Sequence, residues 1–220
     1  MAEDDVTLTG AVKPKLVAAK QAWARDGRLL TGDTSGHNRL PPGQTLVQDW
    51  PVLDLGVQPT VPVAAATLAI DGLVGMPRTL DWATLQAMPR QAWVNDIHCV
   101  TQWSRYDNTW EGVPLPALLA LAQPGPEARF VAMESHDGYT TNLPLADLDR
   151  DDAFLAFSWD GKPLERQHGG PMRLVVPHLY LWKSPKWIKR LTLTAEDRPG
   201  FWEVRGYHHR GDPWAEERYG

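Results

Sequence analysis

Ile97-His98-Cys99-Val100-Thr101-Gln102-Trp103-Ser104-Arg105 is the stretch around which the rest of the chain falls into place. It holds the only cysteine among 220 residues, set between an apolar run and a turn-like polar segment. One thiol builds neither an intramolecular disulfide nor an all-cysteine metal cage within a single chain. Cys99 therefore reads as a small buried hydrophobe, or as a reactive or metal-bound thiolate in an electropositive, partly accessible setting. His98 and Arg105 permit the second without requiring it.

Outward from this stretch the pattern is one of short strands and a few short helices. Trp93 to Thr101 is a candidate strand leading into the cysteine. Thr67 to Ile70 is another, closed by Asp71-Gly72. Asp81 is an N-cap for a helix from Trp82 to Met88, stopped by Pro89. A second helix spans Leu115 to Ala122, with prolines in its first turn and Pro124 beyond it. Phe130 to Ser135 pairs with Tyr139 to Asn142 through His136-Asp137-Gly138, and Ala153 to Trp159 with Lys162 to Leu164 through Asp160-Gly161. Arg173 to Val176 and Ile188 to Thr194 complete the strands. Without βαβ regularity this pattern means α+β.

Upstream, Val12 to Arg25 reads as a helix: Leu16, Ala19, Lys20 and Trp23 recur at helical spacing, and Gly27 supplies the C-terminal cap. Residues 1–30 are thus expected as an N-terminal helical extension and 31–220 as the main domain. Thr31 to Pro62 is rich in Gly and Pro and carries His37, Asn38 and Arg39. A structureless run of that length is either a solvated linker or a segment pinned by a ligand.

Composition narrows the classes. Lys+Arg 22 against Asp+Glu 27 gives a net charge of -5, so no nonspecific partnership with nucleic acid or anionic membrane is expected. No stretch approaches the roughly 18 apolar residues of a membrane helix. Met1-Ala2-Glu3-Asp4-Asp5 is acidic with no apolar core behind it, so a cytoplasmic protein with a reduced thiol is the expectation. The 11 tryptophans suit either a Trp-rich core or flat walls around a ligand.

The common nucleotide, nicotinamide, zinc-protease and serine-hydrolase motifs are absent. A Cys99 nucleophile paired with His136 or His168, oriented by Asp137, stays open. A richer cluster is His168-Gly169-Gly170-Pro171-Met172-Arg173-Leu174, followed by Lys183-Ser184-Pro185-Lys186 between Trp182 and Trp187. The glycines allow close backbone approach. Arg173 offers a planar fork, and Lys183, Ser184 and Lys186 offer ammonium groups and a hydroxyl suited to phosphate.

Jointly, Cys99-Val100-x-x-Trp103-Ser104 and His168-Gly169-x-Pro171-x-Arg173-Leu174 resemble the molybdenum-cofactor domain of the sulfite oxidase family. The likeness runs from about Arg39 to Leu193, and is greatest to small bacterial members without haem or dimerisation domains. The resemblance implies that family's α+β fold, a molybdopterin, and oxygen-atom transfer with a two-electron change at molybdenum. It implies Cys99 as the metal's thiolate ligand and His37, Asn38 and Arg39 along the pterin. Ser135, His168 and Arg173 would bond the pterin and its phosphate, with Ser184, Pro185 and Lys186 closing over the phosphate end. Trp103, Arg105 and Tyr139 are expected to face a small oxyanion or sulfoxide-like substrate. With no haem motif or cysteine cluster in the chain, electrons would pass through a separate partner. Where animal and plant sulfite oxidases carry an arginine soon after the cysteine, this chain has Gln102, Trp103 and Ser104, with Arg105 one position on. His168 replaces the asparagine of the periplasmic methionine sulfoxide reductase. Two other outcomes stay open from the residues alone: a metal-free cysteine enzyme, and a non-catalytic module that binds an anion or cofactor.

Overall fold

In the computed structural model, which describes residues 12–27 and 38–220, the cysteine stretch is the turn of a long hairpin. Strand β4 (Gln91–Cys99) and strand β5 (Trp103–Pro114) pair antiparallel, with Cys99 opposite Trp103 at the closed end. The reversal is tight: Gln102 donates its amide to the Cys99 carbonyl at 3.0 Å and adopts a left-handed φ of 68°. A non-glycine residue there is uncommon and carries strain.

Around this hairpin the strands form two mixed sheets. Besides β4 and β5, the six-stranded sheet contains β1 (Thr45–Leu46), β8 (Phe154–Trp159), β9 (Lys162–Pro163) and β10 (Arg173–Val175). The five-stranded sheet runs in the order β3 (Arg78–Asp81), β2 (Thr67–Gly72), β11 (Ile188–Thr194), β6 (Phe130–Ser135), β7 (Thr140–Pro144). Its centre is a parallel pair, β2 with β11, flanked by antiparallel neighbours.

Local chemistry explains the short helices. Asp81 accepts the Thr84 amide at 2.8 Å and so starts α2 (Trp82–Ala87). Proline opens α3 (Leu115–Ala122), and Gln123, at φ 56°, ends it in the left-handed region. Helix α4 (Leu145–Leu148) is a single turn after β7. The N-terminal helix α1 (Pro14–Asp26) lacks a side-chain cap but has proline in its first turn.

Two apolar clusters hold the layers together. One joins Leu68, Ile70, Leu191 and Leu193 of the second sheet to Leu115, Leu118 and Leu119 of α3 and to Leu155 of β8. Each fully buried aliphatic side chain of this kind contributes about 1.5–3 kcal/mol. The other is aromatic: Trp50, Trp103, Trp110, Tyr180, Trp182, Trp202 and Tyr207 surround Ile97, Cys99 and Ala24. The tryptophans thus serve both as core and as walls. The α+β expectation holds, with the long strand β5 as its chief omission. No helix among the described residues is long and apolar enough to cross a membrane.

Candidate active site

Cys99 ends β4 in the lining of a pocket that opens partly to solvent. His168, Arg173, Ser184, Pro185 and Lys186 line the same pocket, as do Trp103 and Tyr139. Segments 70 to 90 positions apart in the chain therefore converge on one space. The sulfur lies 3.1 Å from Thr101 Oγ1. Behind the hairpin, Gln44 donates to the Cys99 carbonyl at 3.2 Å and accepts from Ser104 Oγ, whose oxygen also lies 2.8 Å from His98 Nδ1. This buried network fixes the strand end that presents the thiol. Burial lowers the pKa of His98 to about 4, so its imidazole is neutral near pH 7.

Another part of the lining is cationic. Arg173, on β10 and 3% exposed, donates to the His168 carbonyl at 3.0 Å, the Ser184 carbonyl at 2.8 Å and the Leu174 carbonyl at 3.3 Å. No carboxylate pairs with it among the described residues, and burial brings its pKa down to about 9. Lys186 donates to the Gln167 carbonyl at 2.9 Å and lies 4.5 Å from the Trp187 ring centre. Burial first, then Arg173 close by, lower its pKa to about 7. His168 stacks on Trp50 at 4.0 Å and 10°. Burial, followed by the Arg173 and Lys186 charges, holds it to about 4 and so neutral.

Ser184 shows how the turn is shaped: its hydroxyl accepts the Val176 amide at 2.9 Å, tying the 181–187 segment to the end of β10. Gly169 has φ 104°, and a Cβ there would sit 2.9 Å from Lys186 Cβ and 3.1 Å from Arg173 Cβ. Glycine is required so that the two cations can pack against the loop.

These features suit the bound form of a molybdopterin. A soft sulfur donor shares the pocket with cations whose hydrogen bonds go to carbonyls, leaving their charge for a phosphate. Trp103 Nε1 is buried without a hydrogen-bond partner among the described residues, as is Ser135 Oγ.

Other expected site residues fall elsewhere. Arg39 is exposed, forked onto Asp96 at 2.6 and 2.8 Å and onto Asp107 at 2.6 Å, with its guanidinium over Tyr106. Asn38 is exposed beside it, and neither contributes to the cavity wall. His37 lies outside the described residues. Ser135 is buried close by, but is not part of the wall. Arg105 also stays out of it: its guanidinium binds the Gln48 carbonyl, Asn108 Oδ1 and Asp160 Oδ2 and lies 4.6 Å from the Trp159 ring. Arg105 lies two residues further along β5 than Trp103, where the Asp160 turn holds its guanidinium.

Several wall residues have no counterpart among the expected ones: Lys20, Trp50, Asp54, Trp202 and Tyr207, while Asp137 was expected only as the orienting group of a nucleophile pair. Trp50 and Asp54 lie in the Gly/Pro-rich run, of which the part from Trp50 to Leu55 lines the cavity. Asp137 is pushed up by burial. For Asp54 burial acts upward, but hydrogen bonds from Gln58 and the Gly56 amide win and hold it below the usual carboxylate value. Lys20 did carry a signal, being a lysine within the apolar row of its helix.

Comparison with known proteins agrees with this architecture. Residues 56–202 match the family model described as the oxidoreductase molybdopterin binding domain. The uncharacterized oxidoreductase YuiH of Bacillus subtilis (strain 168) is 43% identical over 194 residues, which cover 88% of this chain and 97% of that protein. A putative protein-methionine-sulfoxide reductase subunit, YedZ1 of Azospira oryzae (strain ATCC BAA-33 / DSM 13638 / PS), is 32% identical over 151 residues, 69% of this chain and 57% of that protein. The crystal structure of the sulfane dehydrogenase SoxCD from Paracoccus pantotrophus shares the fold, with a TM-score of 0.61 at 24% identity, over 77% of this chain and 50% of that one. Metal-free cysteine chemistry and a purely binding role give way to these matches: the chain belongs to the oxidoreductase molybdopterin-binding domain family, and is a molybdopterin-dependent oxidoreductase.

Proposed function

We propose that this enzyme transfers an oxygen atom to or from a small oxyanion or sulfoxide-like substrate, exchanging electrons with a separate carrier protein. The observation that carries this reading is that Cys99 and the His168–Arg173–Lys186 cluster line one cavity. The molybdenum centre supplies the two-electron oxygen-atom exchange. Cys99 is its protein ligand, held by the Gln44–Ser104–His98 network. Arg173 and Lys186 take the anionic phosphate of the pterin, and Ser184 and Pro185 shape the turn over it. His168, neutral and stacked on Trp50, offers a donor and an acceptor to the heterocycle. Ser135 stands behind that wall with a spare hydroxyl.

Trp103 and Tyr139 form the substrate-facing part. The Tyr139 hydroxyl donates to the Trp182 carbonyl at 2.7 Å, and burial, then Glu203, raise its pKa well above the usual tyrosine value. It therefore acts as a neutral wall and not as a base. Names of relatives that include methionine-sulfoxide reductase and sulfane dehydrogenase support a sulfur-containing substrate.

The test is to express the protein with an intact cofactor pathway, then measure molybdenum and released pterin. Turnover is assayed with a reduced dye against sulfoxides and with an oxidised dye against sulfur oxyanions. Roughly one metal per chain and turnover with one substrate class are expected. In Cys99→Ser, turnover should fall at least about a hundredfold with an altered metal spectrum. An unchanged spectrum in that variant removes Cys99 from the metal.

A further inference from the structure

With Arg105 committed to the Asp160 turn, the cavity has another cation in its wall, supplied by a helix that precedes the family-matched residues. Lys20 of α1 is 8% exposed and lines the same space as Cys99, Asp137 and Lys186. Its ammonium makes one hydrogen bond among the described residues, to the Asp54 carbonyl. An ammonium carries three N–H donors, so the remainder are left for something in the cavity.

The helix is anchored so that this lysine cannot swing out as a free surface residue. Ala24 is buried in the aromatic cluster, and Val12 and Val17 pack against it. The Lys13 amide meets the Leu55 carbonyl at 3.4 Å. The Tyr219 hydroxyl donates to the Gln21 carbonyl at 2.9 Å, and that of Tyr207 to the Lys20 carbonyl at 3.4 Å. At the helix end a Cβ on Gly27 would fall 2.6 Å from Gln102 Oε1, so α1 abuts the very turn that follows Cys99.

A buried ammonium with spare donors is costly unless it meets an anion. The pair Arg173 and Lys186 already forms a cradle for one anionic group. Lys20 reaches the same cavity from α1, the element that touches the cysteine turn, within electrostatic reach of Lys186 and of the Asp54 and Asp137 carboxylates. We propose that Lys20 is the specificity-determining cation of the substrate subsite, and that the substrate is a small oxyanion instead of a neutral sulfoxide. This narrows the function proposed above and rests on it. The positive site usually sought just after the cysteine is thereby furnished by a different part of the chain, beyond residues 56–202.

The test uses molybdenum-loaded enzyme and inorganic sulfate as a non-reacting oxyanion, followed by its perturbation of the metal's visible absorption and of its paramagnetic signal. Wild type should titrate saturably. Lys20→Met should weaken the sulfate response by about tenfold or more, keep its molybdenum and pterin content, and regain most of the affinity as Lys20→Arg. Lys20→Gln retains a donor for the Asp54 carbonyl without the charge, and should show the same loss should the methionine variant not fold. Sulfate affinity unchanged in both neutral variants overturns the proposal, as does an absence of saturable sulfate binding in wild type. A loss of pterin in both neutral variants also overturns it, since Lys20 would then serve the cofactor. Failure of the broader site reading is seen separately, as a Cys99→Ser enzyme with an unaltered metal spectrum.

Discussion

Lys186 illustrates what burial does to a single charged group. Its pKa falls from 10.5 to about 7 in the folded chain, chiefly through burial and then through Arg173. Between those values the unfolded chain binds a proton that the folded chain does not, so stability rises with pH across that window. It is fully present above the unfolded value and is lost as pH drops through about 7. Cofactor-free protein should therefore melt at higher temperature at pH 9 than at pH 6.5. Lys186→Met should flatten this dependence by a few degrees, leaving the smaller part due to Lys20, whose pKa burial lowers to about 8. Calorimetry across pH checks it. Gly169→Ala puts a methyl between Lys186 and Arg173 at a positive φ; about 1–2 kcal/mol of stability should go, and molybdenum content per chain should drop with it. That Arg173, Ser184 and Lys186 gather in one place was legible from residue type and spacing. Trp50, Asp54 and Lys20 were not, because no periodicity says which irregular segment or helix folds over a cavity.

At the scale of elements, the 3-10 turn Glu203–Arg205 props up the aromatic wall. Glu203 meets Lys183 Nζ at 2.6 Å, with both side chains fully buried, and also accepts from Trp182 Nε1 at 2.9 Å and Thr141 Oγ1 at 3.0 Å. Glu203→Gln leaves the Lys183 ammonium buried without its counter-charge. A loss of about 3–5 kcal/mol is expected in denaturant unfolding, larger than for any single wall residue facing the open cavity. Helices at 82–87 and 115–122 and the strands β6 and β11 could be read from caps, prolines and alternation. Strand β5 could not, because Tyr106-Asp107-Asn108 looks like a turn. In fact Asp107 takes φ 54° within the strand, and its amide donates to Asp96 on the paired strand. Cross-strand bonding there overrides local propensity. Helix α1 was legible as a helix, but its place as a wall of the site depends on Gln102, Tyr207 and Tyr219, far along the chain.

Across the whole molecule, six separate stretches build the site: α1, the 50–55 run, the β4–β5 turn, the 137–139 turn, residues 168–187 and residues 202–207. A ligand that binds such a composite space stabilises every part at once. Cofactor-free protein should melt several degrees below the loaded form and be cut preferentially by protease within residues 40–60, where little backbone pairing exists. Equal cutting rates with and without cofactor would show that this run is held independently.

The segment between β10 and β11 is gripped by different sheets at its two ends: Arg173 to Val175 in one, Ile188 to Thr194 in the other. Strand β11 is also the central strand of its sheet, so neither sheet border nor cradle exists before those residues have been synthesised and slotted in. The cradle for the prosthetic group can accordingly form only once residues as far as Thr194 are in place.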